Sequence, residues 1–327
     1  MKTSYLLLAL LLAAFLMAAS PEGGYKIIKR IPVPGDGGWD YLTVDPQARR
    51  LYVSHGTEVN VLNVDTGEVV GKIPDTKGVH GILIPPGSDR GYTTNGQANT
   101  STMFDVKTLK VLGEVKTGKK PDAVLYDPAT KRVFTFNGDG ESATAIDAAT
   151  GEVAGTVELG GGPEAGAADG KGSVFVNLEK EAMVVKFDSK KLAVTDRWPL
   201  APCKTPTGMA LDRKNGRLFV GCRSKVMAVV DIATGKVITT LPIGGGVDGT
   251  VFDRTSGNIF NSNGEGNVTV IHQDSPDNYT VVETVQTQPG AKTIALDSKT
   301  HQLYLSVAER EAKTIKPGTF TILVLGK

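Results

Sequence analysis

The hydrophobic pattern of this chain repeats. A short apolar strand closed by Asp, a turn and a second β-rich run return about every 42 residues, seven times in all. The closing positions are Asp45, Asp127, Asp169, Asp212, Asp253 and Asp297, with Pro85 in the second slot, at spacings of 40, 42, 42, 43, 41 and 44 residues. The second run carries one aromatic in register: Tyr52, Tyr92, Phe134, Phe175, Phe219, Phe260 and Tyr304. A third strand ends in another Asp, as in Ala228-Val229-Val230-Asp231, and a turn such as Ala233-Thr234-Gly235 leads to a fourth strand, Lys236 to Leu241. Four short strands between Gly, Asp and Asn turns make an antiparallel sheet, and seven such sheets suit radial packing. The pattern predicts an all-β chain, a seven-bladed β-propeller of four-stranded blades. One large residue per blade fills the gap between neighbouring sheets, so the aromatic column reads as core.

The ends of the pattern predict closure. The last unit, from Ala291 through Phe320 to Leu325, lacks a fourth strand, whereas Tyr25 to Val33 has the look of an orphan fourth strand. Pairing the two completes the seventh blade and removes an open edge.

Composition refines this picture. Lys2, an apolar run from Tyr5 to Ala19 and the small residues Ala18, Ala19 and Ser20 read as a secretory signal over residues 1–20. The expected location is periplasmic or secreted, with one propeller domain over residues 21–327 and no membrane span once the signal is removed. The formal net charge is +1, which gives no support to a duplex nucleic acid as partner. The two cysteines of an exported chain are expected to pair. Cys203 enters the fifth blade and Cys222 follows its second strand, and because the first two strands are antiparallel both fall on one face near the ring centre. Reactive or metal-binding thiols are the alternative.

The run Val133-Phe134-Thr135-Phe136-Asn137, followed by Ile146-Asp147-Ala148-Ala149-Thr150-Gly151 and Gly161-Gly162-Pro163, resembles the YVTN family of repeats, the YncE-like propellers. The resemblance spans the chain beyond its leader. It implies an exported bacterial or archaeal propeller, and it implies no particular activity, because no shared chemistry defines that family. Only Thr93-Thr94-Asn95 approaches the family's threonine-asparagine signature, and the sixth blade replaces the aspartate turn with His272 to Asp277.

Candidate chemistry lies where loops converge on one face of the ring. The column before each first strand reads Asp40, His80, Asp122, Glu164, Thr207, Asp248 and Lys292. The column after each second strand reads His55, Asn95, Asn137, Leu178, Cys222, Asn263 and Val307, with Trp39 adjacent to Asp40. Four carboxylates and a histidine in one ring suit a divalent cation, Ca²⁺ among carboxylate and amide oxygens or Zn²⁺ where imidazoles meet. Asp40, His80, Asp122 and Asp248 are the expected ligands, and His55 and His80, from neighbouring blades, are placed to face each other. The competing reading is a solvated rim, since Asp and Asn are common turn formers. The charged loop 309–318 of the last blade is placed to overhang this face, as a lid, a partner contact or an ordinary insertion.

Gly-x-Ser-x-Gly, His-Glu-x-x-His, a phosphate loop and Cys-x-x-Cys-His are all missing. The leading expectation is therefore a monomeric binding or scaffold module that takes a small molecule or a protein on the channel face. A metal-dependent hydrolase of the lactonase type is the alternative. Single-stranded nucleic acid binding is a third, with Lys119, Lys120, Lys204 and Lys292 as the charges and Trp39 as a stacking platform, and the acidic column opposes it.

Overall fold

The computed structural model describes residues 23–35, 37–311 and 314–327; the secretory signal expected over residues 1–20 lies outside them. Among the described residues there are seven four-stranded antiparallel sheets, one two-stranded ladder and no helix. Blade three is typical, with strands Pro121–Asp127, Arg132–Asn137, Ser142–Asp147 and Val153–Glu158 hydrogen-bonded in sequence order. The seven sheets form the expected seven-bladed propeller.

The closing aspartates explain how every blade but the second, which has Pro85 in that slot, turns its first corner. Asp45 Oδ1 accepts hydrogen bonds from the backbone N–H of Gln47 and Ala48, and Asp212 Oδ1 does the same for Lys214 and Asn215. Such a side chain satisfies turn donors that the ladder leaves open. The aromatic column is core throughout: Tyr52, Tyr92, Phe134, Phe175, Phe219, Phe260 and Tyr304 are each 0–1% exposed. They pack across the seams between blades, as where Phe134 meets Phe187 edge-on with ring centroids 5.2 Å apart.

The ring closes as the pattern predicts. Strand Lys26–Pro32 pairs with Thr321–Gly326, which pairs with Leu303–Val307, so the first strand of the chain is the outer strand of the last blade. Cys203 and Cys222 form a disulfide with Cα atoms 5.8 Å apart, tying the loop that enters blade five to the end of its second strand. Part of the charged loop folds into the two-stranded ladder, Arg310–Glu311 against Thr314–Ile315.

A second inter-blade device positions the residues at the mouth of the channel. The penultimate residue of a second strand reaches the backbone of the next blade's innermost strand. Thr94 donates to the carbonyl of Asp122, Asn177 Nδ2 to that of Thr207 at 3.3 Å, Ser262 to that of Lys292, and Ser306 to that of Asp40. The last of these crosses from blade seven to blade one. The strands approach closely at these seams: a Cβ on Gly208 would lie 2.4 Å from Thr250 Oγ1, so glycine is required there.

Candidate functional site

Six members of the first loop column converge on the mouth of the central channel, where five separate into two groups and Glu164 stands by itself. Asp40, His80 and Asp122, from blades one, two and three, form the first. His80 Nδ1 donates to Asp40 Oδ2 at 2.6 Å and lies 3.6 Å from Asp122 Oδ1. One potential ligand atom from each of the three lies within 4.8 Å of the others. The Nε2 edge of His80 faces Gly96, so the Nδ1 edge is the one presented to the carboxylates.

The second group neutralises itself. Asp248 pairs with Lys292 and, at 2.8 Å, with Arg223, whose guanidinium also contacts Glu179 at 3.2 Å. Asp248 thus stands apart from the three residues with which it was expected to share a cation, because two cations already hold it. Burial alone would lower the Lys292 pKa, but the charges of Asp248 and Asp40 outweigh it and raise it.

Glu164 of blade four forms no ion pair among the described residues, although the Arg223 charge reaches it. Its burial, followed by the negative charges of Asp122 and Glu179, pushes its pKa up to about 9. Burial and the Asp40 charge likewise push Asp122 up to about 6, against the opposing pull of His80. For His80, burial opposes the charged form, yet the Asp40 hydrogen bond and the Asp122 charge prevail and raise its pKa. The first group and Glu164 together therefore hold more negative charge than the neighbouring protein compensates, and the protein responds by retaining protons.

Below the carboxylates the channel is a cavity of about 170 Å³ to which all seven inner strands contribute. The position following the first column is Tyr41, Gly81, Ala123, Ala165, Gly208, Gly249 and Thr293. Only Tyr41 is large. Its ring packs against the core shared by blades three and four, and burial with the charges of Asp122 and Glu164 holds its phenol well above the ordinary pKa. Tyr41 and Arg223 escaped sequence reasoning; the signal for Tyr41 is a lone aromatic in a column of small residues.

The second column is corrected by the structure. Asn95, Asn137 and Asn263 are 0% exposed, and the amides of Asn95 and Asn137 are consumed internally. Asn137 Nδ2 donates to Ser142 Oγ at 3.1 Å and Thr144 Oγ1 at 3.0 Å while Oδ1 accepts from Thr135. Asn95 binds Thr93, Thr100 and Thr102 in the same way, and Asn263 binds Asn267 and Thr269. These asparagines pin the second strand to the third, and of their oxygens Asn263 Oδ1 is left buried without a partner among the described residues. His55 occupies the same register position in blade one. It is 2% exposed, stacks on Phe320 at 4.3 Å, and its Nδ1 lies 3.3 Å from Asn60 Nδ2, so it does not face His80. Cys222 fills the position in blade five, where its disulfide ties the strand end to the loop entering the blade. Trp39 packs against Phe320 at 5.3 Å with the Arg310 guanidinium 5.4 Å from its ring centroid. The half-buried ring is thereby engaged by groups of the last blade. Thr207 is buried and donates to the carbonyl of Val247.

No family model matches the chain, and no curated protein matches it. Solved structures do. The chain is similar to one from Kuenenia stuttgartiensis hydrazine synthase, at 15% identity over 89% of this chain and 97% of that one, with a TM-score of 0.75. It is also similar to a chain of a mitotic checkpoint complex, at 13% identity over 99% of both, with a TM-score of 0.77. Likeness at that identity establishes the propeller fold and no activity.

Proposed function

We propose that this protein is an exported, YncE-like binding propeller whose channel mouth takes a divalent cation between Asp40, His80 and Asp122. The observation that carries this reading is uncompensated charge. Two carboxylates, Asp40 and Asp122, gather around one imidazole, with Glu164 close enough for the Asp122 charge to act on it, whereas Asp248 across the mouth has two cations of its own. Two carboxylates and an imidazole suit Zn²⁺ or Mn²⁺, and Ca²⁺ if water or amide oxygens complete the shell. The cation competes with the proton that His80 holds, so binding weakens as pH falls through the raised His80 pKa. The mouth then serves as a docking point for an anionic group of a small molecule or protein bridging to the ion. Similarity to a component of a checkpoint complex agrees with a partner-binding role.

Elemental mass spectrometry of the purified protein, with calorimetric titration of Ca²⁺, Mn²⁺ and Zn²⁺, tests this. One ion per chain, lost in Asp122→Asn and His80→Ala but retained in Asn137→Ala, is the expected result. Absence of binding by any of the three ions would overturn it.

A second reading, metal-assisted hydrolysis of a lactone or ester, is favoured by Glu164 alone. A carboxyl whose pKa burial raises well above the ordinary range is equipped to protonate a leaving alkoxide. Turnover of a lactone panel that is lost in Glu164→Gln while ion binding persists would establish it.

A further inference from the structure

The opposite mouth of the channel carries a different chemistry. The residue that follows the closing position of each inner strand is Pro46, Pro86, Pro128, Gly170, Arg213, Arg254 and Ser298. Charge enters this rim in two adjacent blades only, five and six, and both charges are guanidinium groups. Both side chains are exposed. Arg213 donates through Nε to the carbonyl of Ala168 at 2.7 Å. Among the described residues neither arginine forms an ion pair, in contrast to Arg49, Arg217 and Arg223.

The nearby carboxylates are already committed. Asp212 and Asp253 are 3% and 2% exposed. Asp212 is bound by the turn donors of Lys214 and Asn215, and Asp253 by Thr255, Ser256 and the imidazole of His301. Burial and then the like charge of Arg254 lower the Arg213 pKa, with Asp169 and Asp127 offsetting part of the effect. Two guanidinium groups are thus held near each other with forks unfilled, an arrangement that an oxyanion relieves.

The floor beside them mixes aliphatic and aromatic side chains with the polar groups of Thr43 and Thr250. A recess of about 390 Å³ at this end of the channel is walled by Leu42, Val44, Leu211, Phe252 and Leu296, with Arg254 at its edge. Arg254 and Phe252 also line an adjoining recess of about 470 Å³ that contains Arg213. Cationic donors beside an open recess in which Phe252 and Leu296 are half-buried can engage both ends of a ligand.

We infer that this mouth binds an amphiphile with an anionic head, carboxylate or phosphate, held between Arg213 and Arg254, and an apolar chain laid on Leu211, Phe252 and Leu296. The site is independent of the cation site, which lies at the other end of the inner strands.

The test is titration of the full-length mature protein with decanoate, decyl phosphate and decyltrimethylammonium, each below its micelle concentration, and with acetate. Decanoate or decyl phosphate is expected to bind at least about tenfold more tightly than the cation of equal chain length, which is the effect of one charge-assisted contact. The tighter of the two identifies the head group, and acetate binds at least about tenfold more weakly than decanoate because it lacks the chain. Arg213→Gln with Arg254→Gln is expected to remove that preference while melting stays cooperative. Because both side chains are exposed, folding survives, and the comparison of head groups in the unaltered protein does not depend on the variant. Equal affinity for the anionic and cationic amphiphiles, undiminished anion binding in the double variant, or no binding of either anion would each overturn the inference.

Discussion

His80 Nδ1 of blade two donates to Asp40 Oδ2 of blade one at 2.6 Å, with Asp122 of blade three 3.6 Å from the same nitrogen. A single proton is therefore shared in effect among three blades, and it is the proton that a cation must displace. The backbone on either side is fixed independently, by Ser306 holding the Asp40 carbonyl and Thr94 holding that of Asp122. The arrangement is preorganised by groups that take no part in it.

Stability should fall as pH rises. Glu164 has a folded pKa of about 9 against an ordinary 4.5, so between those values the folded chain keeps a proton that the unfolded chain releases, and its contribution is lost across that window. Asp122 acts likewise between 3.8 and about 6. The raised His80 pKa has the same sign: its contribution is complete below the ordinary value of 6.5 and lost above the folded one. Glu164→Gln removes the largest of these effects. Denaturant melts should show the variant matching the parent near pH 4 and exceeding it at pH 9 by on the order of 1–2 kcal/mol, the mouth being open to screening water.

The asparagine pins should behave as structural groups. Asn137→Ala leaves Thr135, Ser142 and Thr144 hydroxyls without their buried partner, at a cost of about 1–3 kcal/mol. Affinity for divalent ions should stay unchanged. A fall in affinity without loss of stability would return Asn137 to the ligand set.

Reduction of Cys203–Cys222 releases a link spanning a sequence separation of 19 and should lower stability by about 3 kcal/mol. Cys203 and Cys222 both lie in the buried core of blade five, so Cys203→Ser and Cys222→Ser should each cost at least as much, read by chemical denaturation. Equal stability of the reduced and oxidised forms would contradict a fastening role.

Removing residues 23–33 strips the outer strand from blade seven and exposes Thr321–Gly326 as an edge. It also removes Tyr25, packed edge-on against Phe260 at 5.1 Å. The truncated chain should melt lower and tend to self-associate, as size-exclusion chromatography would detect. A monomer of undiminished melting temperature would show that closure does not depend on this strand.

Register carried most of the fold. A recurring Asp, one aromatic per unit and a missing last strand specify seven blades and their closure because each is a local requirement of a turn, a packed seam or an open edge, and such requirements repeat with the chain. The Cys203–Cys222 pair was legible for the same reason. The first loop column was legible as a set of charges, but which of them share a space was not. Asp248 belongs with Lys292 and Arg223, Asp40 with His80 and Asp122, and Tyr41 crosses toward blades three and four, because those pairings depend on distances across the ring. The sequence read alone could not separate Asn137, an amide buried among hydroxyls, from Asp122, a carboxylate at the mouth, since both are polar residues at strand ends. Burial and the direction of each side chain decide that, and they exist only once seven sheets have closed around one axis.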